Sequence, residues 1–170
     1  MRRYSPSVMI SFNFASPVAG VLLGVAALQA IRGIQFVHAV TLIAELGDLT
    51  RFHSARQLMG YLGLVPREDS SGEHRRQGSI TKAGNSYARR ALIEAAWAYR
   101  HPARVTRIIA TRQTGLPKAA CDIAWRAQLR LSARYRRLNA RHLNHNKIVV
   151  ALARELSGFV WAIGQSVKPH

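Results

Sequence analysis

Two adjacent serines, Ser70 and Ser71, precede Gly72 in a stretch crowded with cations: Arg75, Arg76, Lys82, Arg89 and Arg90. A serine hydroxyl is a weak nucleophile at neutral pH and needs an activating neighbour or a well-placed leaving group. A phosphodiester under attack develops negative charge, which Arg and Lys can neutralise. A serine beside a flexible glycine and an Arg cluster therefore suits phosphoryl transfer. The same composition suits a solvated basic loop with ordinary turn serines, and the residues alone leave both readings open.

A second constellation is ALQAIRGIQFVHAVTLIAELGD. A helix breaks at Gly33, turns through Ile34 and Gln35, and restarts near Ala39, which resembles a helix-hairpin-helix. Glycine lets a backbone approach a phosphate closely, and free N–H groups at a helix start can hold the anion. Such contacts position a nucleic-acid backbone and read no sequence. Gly33 and Gln35 are the candidates here, and an ordinary glycine turn between core helices fits equally well.

Other groups carry weaker signals. Glu45 and Asp48 stand one helical turn apart, but capping and solvation around Gly47 explain them better than a metal pair. His142 and His145 have a metal-ligand spacing without a nearby Cys or acidic partner. Trp97, Trp125 and Trp161 fall on apolar stripes and read as core anchors. Arg126, Arg130, Arg134, Arg137 and Arg141 form one basic stripe at helical spacing, suited either to phosphate tracking or to solvent. Cys121 stands alone in an apolar run and reads as a small buried hydrophobe, which excludes a disulfide framework and fits a reducing, intracellular compartment.

These groups need elements to position them. Residues 1–17 read as an irregular leader. Residues 18–60 read as two or three short helices, one stopped by Gly47 and one capped by Ser54 and carrying Leu58 and Tyr61. Residues 61–86 are rich in Gly, Ser and charge and read as a long loop, with room for a short hairpin around Gly78. Beyond them, helices are expected from Tyr87 to Tyr99, from near Pro117 through Leu138, and from about Asn146 to Ile163.

Bulk composition narrows the partner. The chain of 170 residues carries 25 Lys and Arg against 8 Asp and Glu, a formal charge of +17. That imbalance favours a polyanionic partner without specifying chemistry. Only four of the cations are Lys, and the Arg fork grips phosphate oxygens in pairs, although a codon bias would give the same preference. The apolar segment Val18–Ile31 falls short of the roughly 20 residues needed to cross a bilayer, and no membrane association is expected.

The pieces IRGI, AELGD, ARQL, YLGLVPRE, SSGE, RRQGSITKAGN and RRALIEAAW occur in order between Ile31 and Trp97. In these the chain resembles the C-terminal transposase domain of the insertion-sequence 110/116/902 family, relatives of the Piv-type DNA invertases. The helical segments DIAWRAQLRLSARYRRL and VVALARELSGFVWAI resemble an extension found in one subgroup. The resemblance implies an essential serine that links covalently to DNA during strand exchange, and it places that serine on Ser71, less readily on Ser70. It also implies nucleic-acid contacts at Arg75, Arg76, Lys82 and Asn85, to which the cations Arg89 and Arg90 add. The implied partners are DNA, a noncoding bridge RNA, and further copies of the chain or an intact transposase.

The same resemblance implies a RuvC-like domain whose carboxylates hold divalent metal, here Mg. The chain has no Asp or Glu before Glu45. It is therefore expected to lack that domain, through truncation, frameshift or a partial reading frame, to hold no metal or cofactor itself, and not to complete strand exchange alone. The expected fold is mainly α: a leader over 1–17, a transposase C-terminal domain over 18–100 with a helix-hairpin-helix and serine loop, and a helical extension over 101–170. The expected function is that of a DNA transposase or site-specific recombinase fragment in the bacterial cytoplasm, associated with the nucleoid. The alternatives are a non-catalytic nucleic-acid-binding remnant and an inactive pseudogene product.

Overall fold

A computed structural model describes residues 17–71 and 74–167, with side chains described for 18–67 and 78–167. Apart from Pro17, the expected leader lies outside the described residues. Seven helices and one two-stranded ribbon make up the described architecture, which is mainly α. They are α1 (Pro17–Leu28), α2 (Phe36–Leu46), α3 (Ala55–Tyr61), β1 (Pro66–Ser71), β2 (His74–Ile80), α4 (Ser86–Ala96), α5 (Arg107–Gln113), α6 (Lys118–Asn139) and α7 (His145–Ser166).

The core is organised around α7. Ile148, Leu152, Leu156, Val160 and Ile163 recur at spacings of three and four and are fully or almost fully buried, which places them on one face of a 3.6-residue helix. That face packs against α6, α4, α3 and α1. By length and composition α7 could cross a bilayer, but here its apolar side chains form the centre of the fold. Its far end is tied down by polar groups: Trp161 Nε1 donates to Phe52 O at 2.7 Å, and Gln165 Nε2 donates to Leu49 O at 3.2 Å.

Local signals set most boundaries. Gly47 closes α2 by donating its N–H to Ile43 O, and Ser54 Oγ caps α3 by accepting from Gln57 N at 3.2 Å. Pro117 stands immediately before α6, where its fixed φ and missing N–H carry no cost. Helix α4 buries Ala88, Ala91, Leu92, Ala95 and Ala96, so small residues let α2 and α7 approach it closely.

Three expectations need correction. The stretch 61–86 is not a long loop. Residues 66–71 and 74–80 pair as an antiparallel ribbon, and Gly78 lies inside β2 rather than at a turn. Between Pro66 and Glu68 the register shifts, β2 using one residue more than β1, and glycine beside such a bulge accommodates the irregular backbone. A lone two-stranded ribbon is marginal in water, so burial of Leu64 and partial burial of Ile80 against the helices anchor it.

Trp97 and Trp161 pack against the core as expected, but Trp125 is 39% exposed because it projects from the outer side of α6. Cys121 is only half-buried, with Sγ 3.9 Å from Gln113 O.

Because Leu152 is fully buried at the middle of α7, Leu152→Ala is expected to lower unfolding free energy by about 2–5 kcal/mol. Urea denaturation checks this, and a change below about 1 kcal/mol would contradict the central position of that helix.

Candidate nucleic-acid interface

The ribbon starts from a narrow neck formed by Tyr61-Leu62-Gly63 and Lys82-Ala83-Gly84-Asn85. Backbone hydrogen bonds join the two segments: Asn85 N to Tyr61 O at 3.2 Å, Lys82 N to Gly63 O at 3.1 Å and Thr81 N to Val65 O at 2.9 Å. Gly63 and Gly84 have φ of +64° and +111°, and a Cβ on either would stand 2.1 Å from a carbonyl oxygen, that of Ala83 or Tyr61 respectively. Both the left-handed backbone and the close approach require glycine. Lys82 between them also has positive φ, +54°, a conformation that a non-glycine residue holds only under surrounding constraint.

Two residues expected to contact nucleic acid hold this neck through hydrogen bonds. Arg89 Nη1 donates to Leu62 O at 3.0 Å and Lys82 O at 3.1 Å, bridging both segments from α4. Asn85 Oδ1 caps α4 by accepting from Ala88 N at 2.9 Å, and its Nδ2 donates to Glu45 Oε2 at 2.5 Å. The sequence could not separate these roles, because the donors that fit phosphate oxygens also fit peptide carbonyls.

The remaining ribbon residues are placed by register. Ser71 stands opposite His74, Ser70 opposite Arg75, and Asp69 opposite Arg76. The side chains of 68–77, and with them the expected cationic surround of the Ser71 hydroxyl, lie outside the described residues. Lys82 is exposed at the base of the ribbon.

Gly33, Gln35 and Arg90 meet at the other end of α4. Gly33 has φ +90°, and a Cβ there would stand 2.1 Å from Ala95 O. Its glycine is thus explained by packing of the α1–α2 turn onto α4. Gln35 N donates to His38 Nδ1 at 3.3 Å, and His38 Nε2 faces Glu94 Oε2 at 3.4 Å. With Nδ1 accepting, Nε2 carries the ring proton and donates to the carboxylate. Arg90 Nε donates to Glu94 Oε1 at 2.7 Å. This hydrogen bond holds the Glu94 carboxyl below its ordinary range, with a smaller contribution from His38, and raises the Arg90 guanidinium. The start of α2 therefore has its N-cap N–H engaged by His38 and a carboxylate beside it, and Arg90 is paired with Glu94.

The basic stripe of α6 divides in the same way. Arg130 and Arg134 both donate to Glu155 on α7, Arg134 Nη1 at 2.9 Å, so part of the stripe faces its helical neighbour. Burial among Arg137, Arg130 and Arg154 pulls the Arg134 guanidinium below its usual range, burial counting most. His145 Nδ1 meets Tyr135 OH at 3.0 Å, a tie between α6 and α7. Among the described residues, Glu45, Glu94 and Glu155 serve the contacts above, Asp48 caps the turn at Thr50, and no three His, Cys, Asp or Glu side chains converge.

One group escaped sequence reasoning. Lys82, Arg134, Lys147 and Arg154 line a groove of about 650 Å³ between the ribbon base and α7, over an apolar floor that includes Leu64, Ile80 and Val150. Lys147, Val150, Ala151 and Arg154 fall at i, i+3, i+4 and i+7 and share one face of α7. That spacing was the available signal, obscured by the apolar residues around it.

A helical body anchors a two-stranded ribbon at a glycine-lined neck. The sequence pattern of the transposase IS116/IS110/IS902 family matches residues 25–110, from α1 into α5, and the chain belongs to this family. It is 49% identical over 144 residues to y4qE of Sinorhizobium fredii, a protein named as a transposase, covering 85% of this chain and 37% of that protein. It is 41% identical over 68 residues to the transposase for insertion sequence element IS1111A of Coxiella burnetii, covering 40% and 19%. Over 112 residues it is 28% identical to the transposase for insertion sequence element IS1533 of Leptospira borgpetersenii, covering 65% and 32%. The matched part thus spans between about a fifth and somewhat over a third of these relatives' length.

Arg89→Ala removes two hydrogen bonds from a charged donor to the neck. Stability is expected to fall by about 1–3 kcal/mol, with faster hydrogen exchange at the Thr81 and Asn85 amides. Unchanged melting together with unchanged exchange would show that the bridge does not hold the neck.

Proposed function

We propose that this chain is the nucleophile-bearing part of a DNA transposase, with Ser71 as the attacking residue. Ser71 Oγ attacks a phosphodiester phosphorus. An Oγ–P bond forms, the bond from phosphorus to one deoxyribose oxygen breaks, the serine proton leaves to solvent or a neighbouring base, and the departing oxygen takes up a proton. Reversal by a different strand's hydroxyl exchanges strands. Family membership supports the reaction class. The single observation that carries the local assignment is register: Ser71 occupies the last position of β1, with Ser70 opposite Arg75 and Asp69 opposite Arg76. Arg75, Arg76 and Lys82 serve as contacts to the phosphate or neighbouring backbone, where cations offset developing charge.

The partners in this reading are DNA, a bridge RNA that selects the sequence, and further copies of the chain or an intact transposase. Exposed Val21, Leu22, Phe36 and Val37 on α1 and α2 favour a protein neighbour. In this reading divalent metal is held by another part of the assembly.

A binding-only role is the second reading. It is favoured by the net charge of +17, which needs no catalysis. A nicked DNA substrate that traps covalent protein–DNA adducts, incubated with the chain, RNA, Mg²⁺ and a full-length relative whose own nucleophilic serine is replaced by alanine, separates the two. The catalytic reading expects an adduct that is lost in Ser71→Ala and retained in Ser70→Ala, with DNA binding kept in both. An adduct that persists in Ser71→Ala contradicts the assignment, and binding without any adduct favours the second reading.

A further inference from the structure

We propose that the groove between the ribbon base and α7 holds the phosphodiester backbone of the strand whose continuation reaches the ribbon tip. This rests on the reading of the ribbon as the element that faces nucleic acid.

Three separated elements bring cations to the groove: Lys82 follows β2, Arg134 comes from α6, and Lys147 and Arg154 come from α7. Among the described residues no carboxylate lines it. A second cleft on the other side of α7, next to Arg126 and Arg130, differs in this respect, because Glu155 lines it and pairs with Arg130. In the groove, Glu155 engages only Arg134 Nη1, and Arg134 Nε has no hydrogen-bond partner. Asn146 and Lys147 belong to the first turn of the 22-residue α7, so the helix dipole adds positive potential at that end.

The shape fits a chain of charges better than one compact anion. A nucleic-acid strand carries a phosphate at every nucleotide, and the cations are spread over an open groove rather than focused on a point. The apolar floor suits sugar carbons between phosphates. Pro66 lies in the groove lining and starts β1, which ends at Ser71. Five residues of strand cover about 17 Å, a span of a few nucleotides. A backbone seated in the groove is thus led along the ribbon to the proposed nucleophile.

The test is Lys147→Ala/Arg154→Ala, with the fold checked by circular dichroism and melting. Binding of single-stranded DNA, duplex DNA and single-stranded RNA of equal length is measured between about 50 and 200 mM salt. Removing two phosphate contacts is expected to weaken binding about tenfold and flatten the log–log salt slope by about 1.4–1.8. Loss with all three ligands supports shared backbone contacts, and loss with DNA alone or RNA alone supports the groove and identifies its strand. Arg104→Ala/Arg107→Ala, with the same charge change outside the groove, is expected to lose less.

A folded groove variant that matches the parent in affinity and slope overturns the proposal, as does an equal loss in the control. If that happens while the Ser71-dependent adduct persists, the groove assignment falls and the catalytic reading stands. Failure of the parent chain to bind any of the three ligands removes both.

Discussion

At the base of the ribbon, the carbonyl oxygens of Ala83 and Tyr61 occupy the space where Gly63 and Gly84 would carry a Cβ. This close approach lets the backbone bonds between the two segments form. It also brings the carbonyls of Leu62 and Lys82 within reach of one guanidinium, that of Arg89. A two-stranded ribbon has too little buried surface to hold itself in place. Its orientation is therefore set where it leaves the helices, and every role assigned to Ser71 presupposes that setting.

The neck in turn depends on the helical body. Asn85 caps α4 and reaches Glu45 on α2, so the helix that supplies Arg89 is registered against its neighbour. Helix α4 packs on α7, whose buried stripe joins the first and last parts of the chain. Three of the chain's few acidic side chains, Glu45, Glu94 and Glu155, are committed to contacts between side chains. Acidic groups thus serve internal positioning, while a large excess of Arg and Lys remains for a partner. Charge and architecture reinforce each other: the body supplies rigidity, and the unspent cations supply attraction for a polyanion.

Much of this was legible in the sequence where a side-chain period coincided with a stop signal. Helices α2, α4, α6 and α7 follow from apolar spacing, with Gly47 and Pro117 marking the end of α2 and the start of α6. The ribbon was legible only as room for a short hairpin around Gly78, because β1 and β2 are rich in Ser, Gly and charge and acquire strand geometry by pairing with each other. Helix α5, seven residues long, is too short for a period to declare itself. The site was harder still. Asn85 and Arg89 have the chemistry of phosphate ligands and also bind protein groups. Gly33 has the freedom of a phosphate-binding turn, and the packing of α4 accounts for it. Lys147 and Arg154 stand out only once folding brings α7 beside Lys82. Residue type gave the chemistry available, and the choice of partner depended on the tertiary arrangement.

The central claim is that the tip of the ribbon, held by its neck, is where nucleic acid meets this protein. Its most direct test is site-specific photocrosslinking, with a photoreactive residue placed at position 71 or at the exposed position 108 on α5, and labelled DNA or RNA as the bait. The account predicts efficient crosslinks from position 71 and only background from position 108. Crosslinks that favour position 108, with position 71 silent, would contradict it.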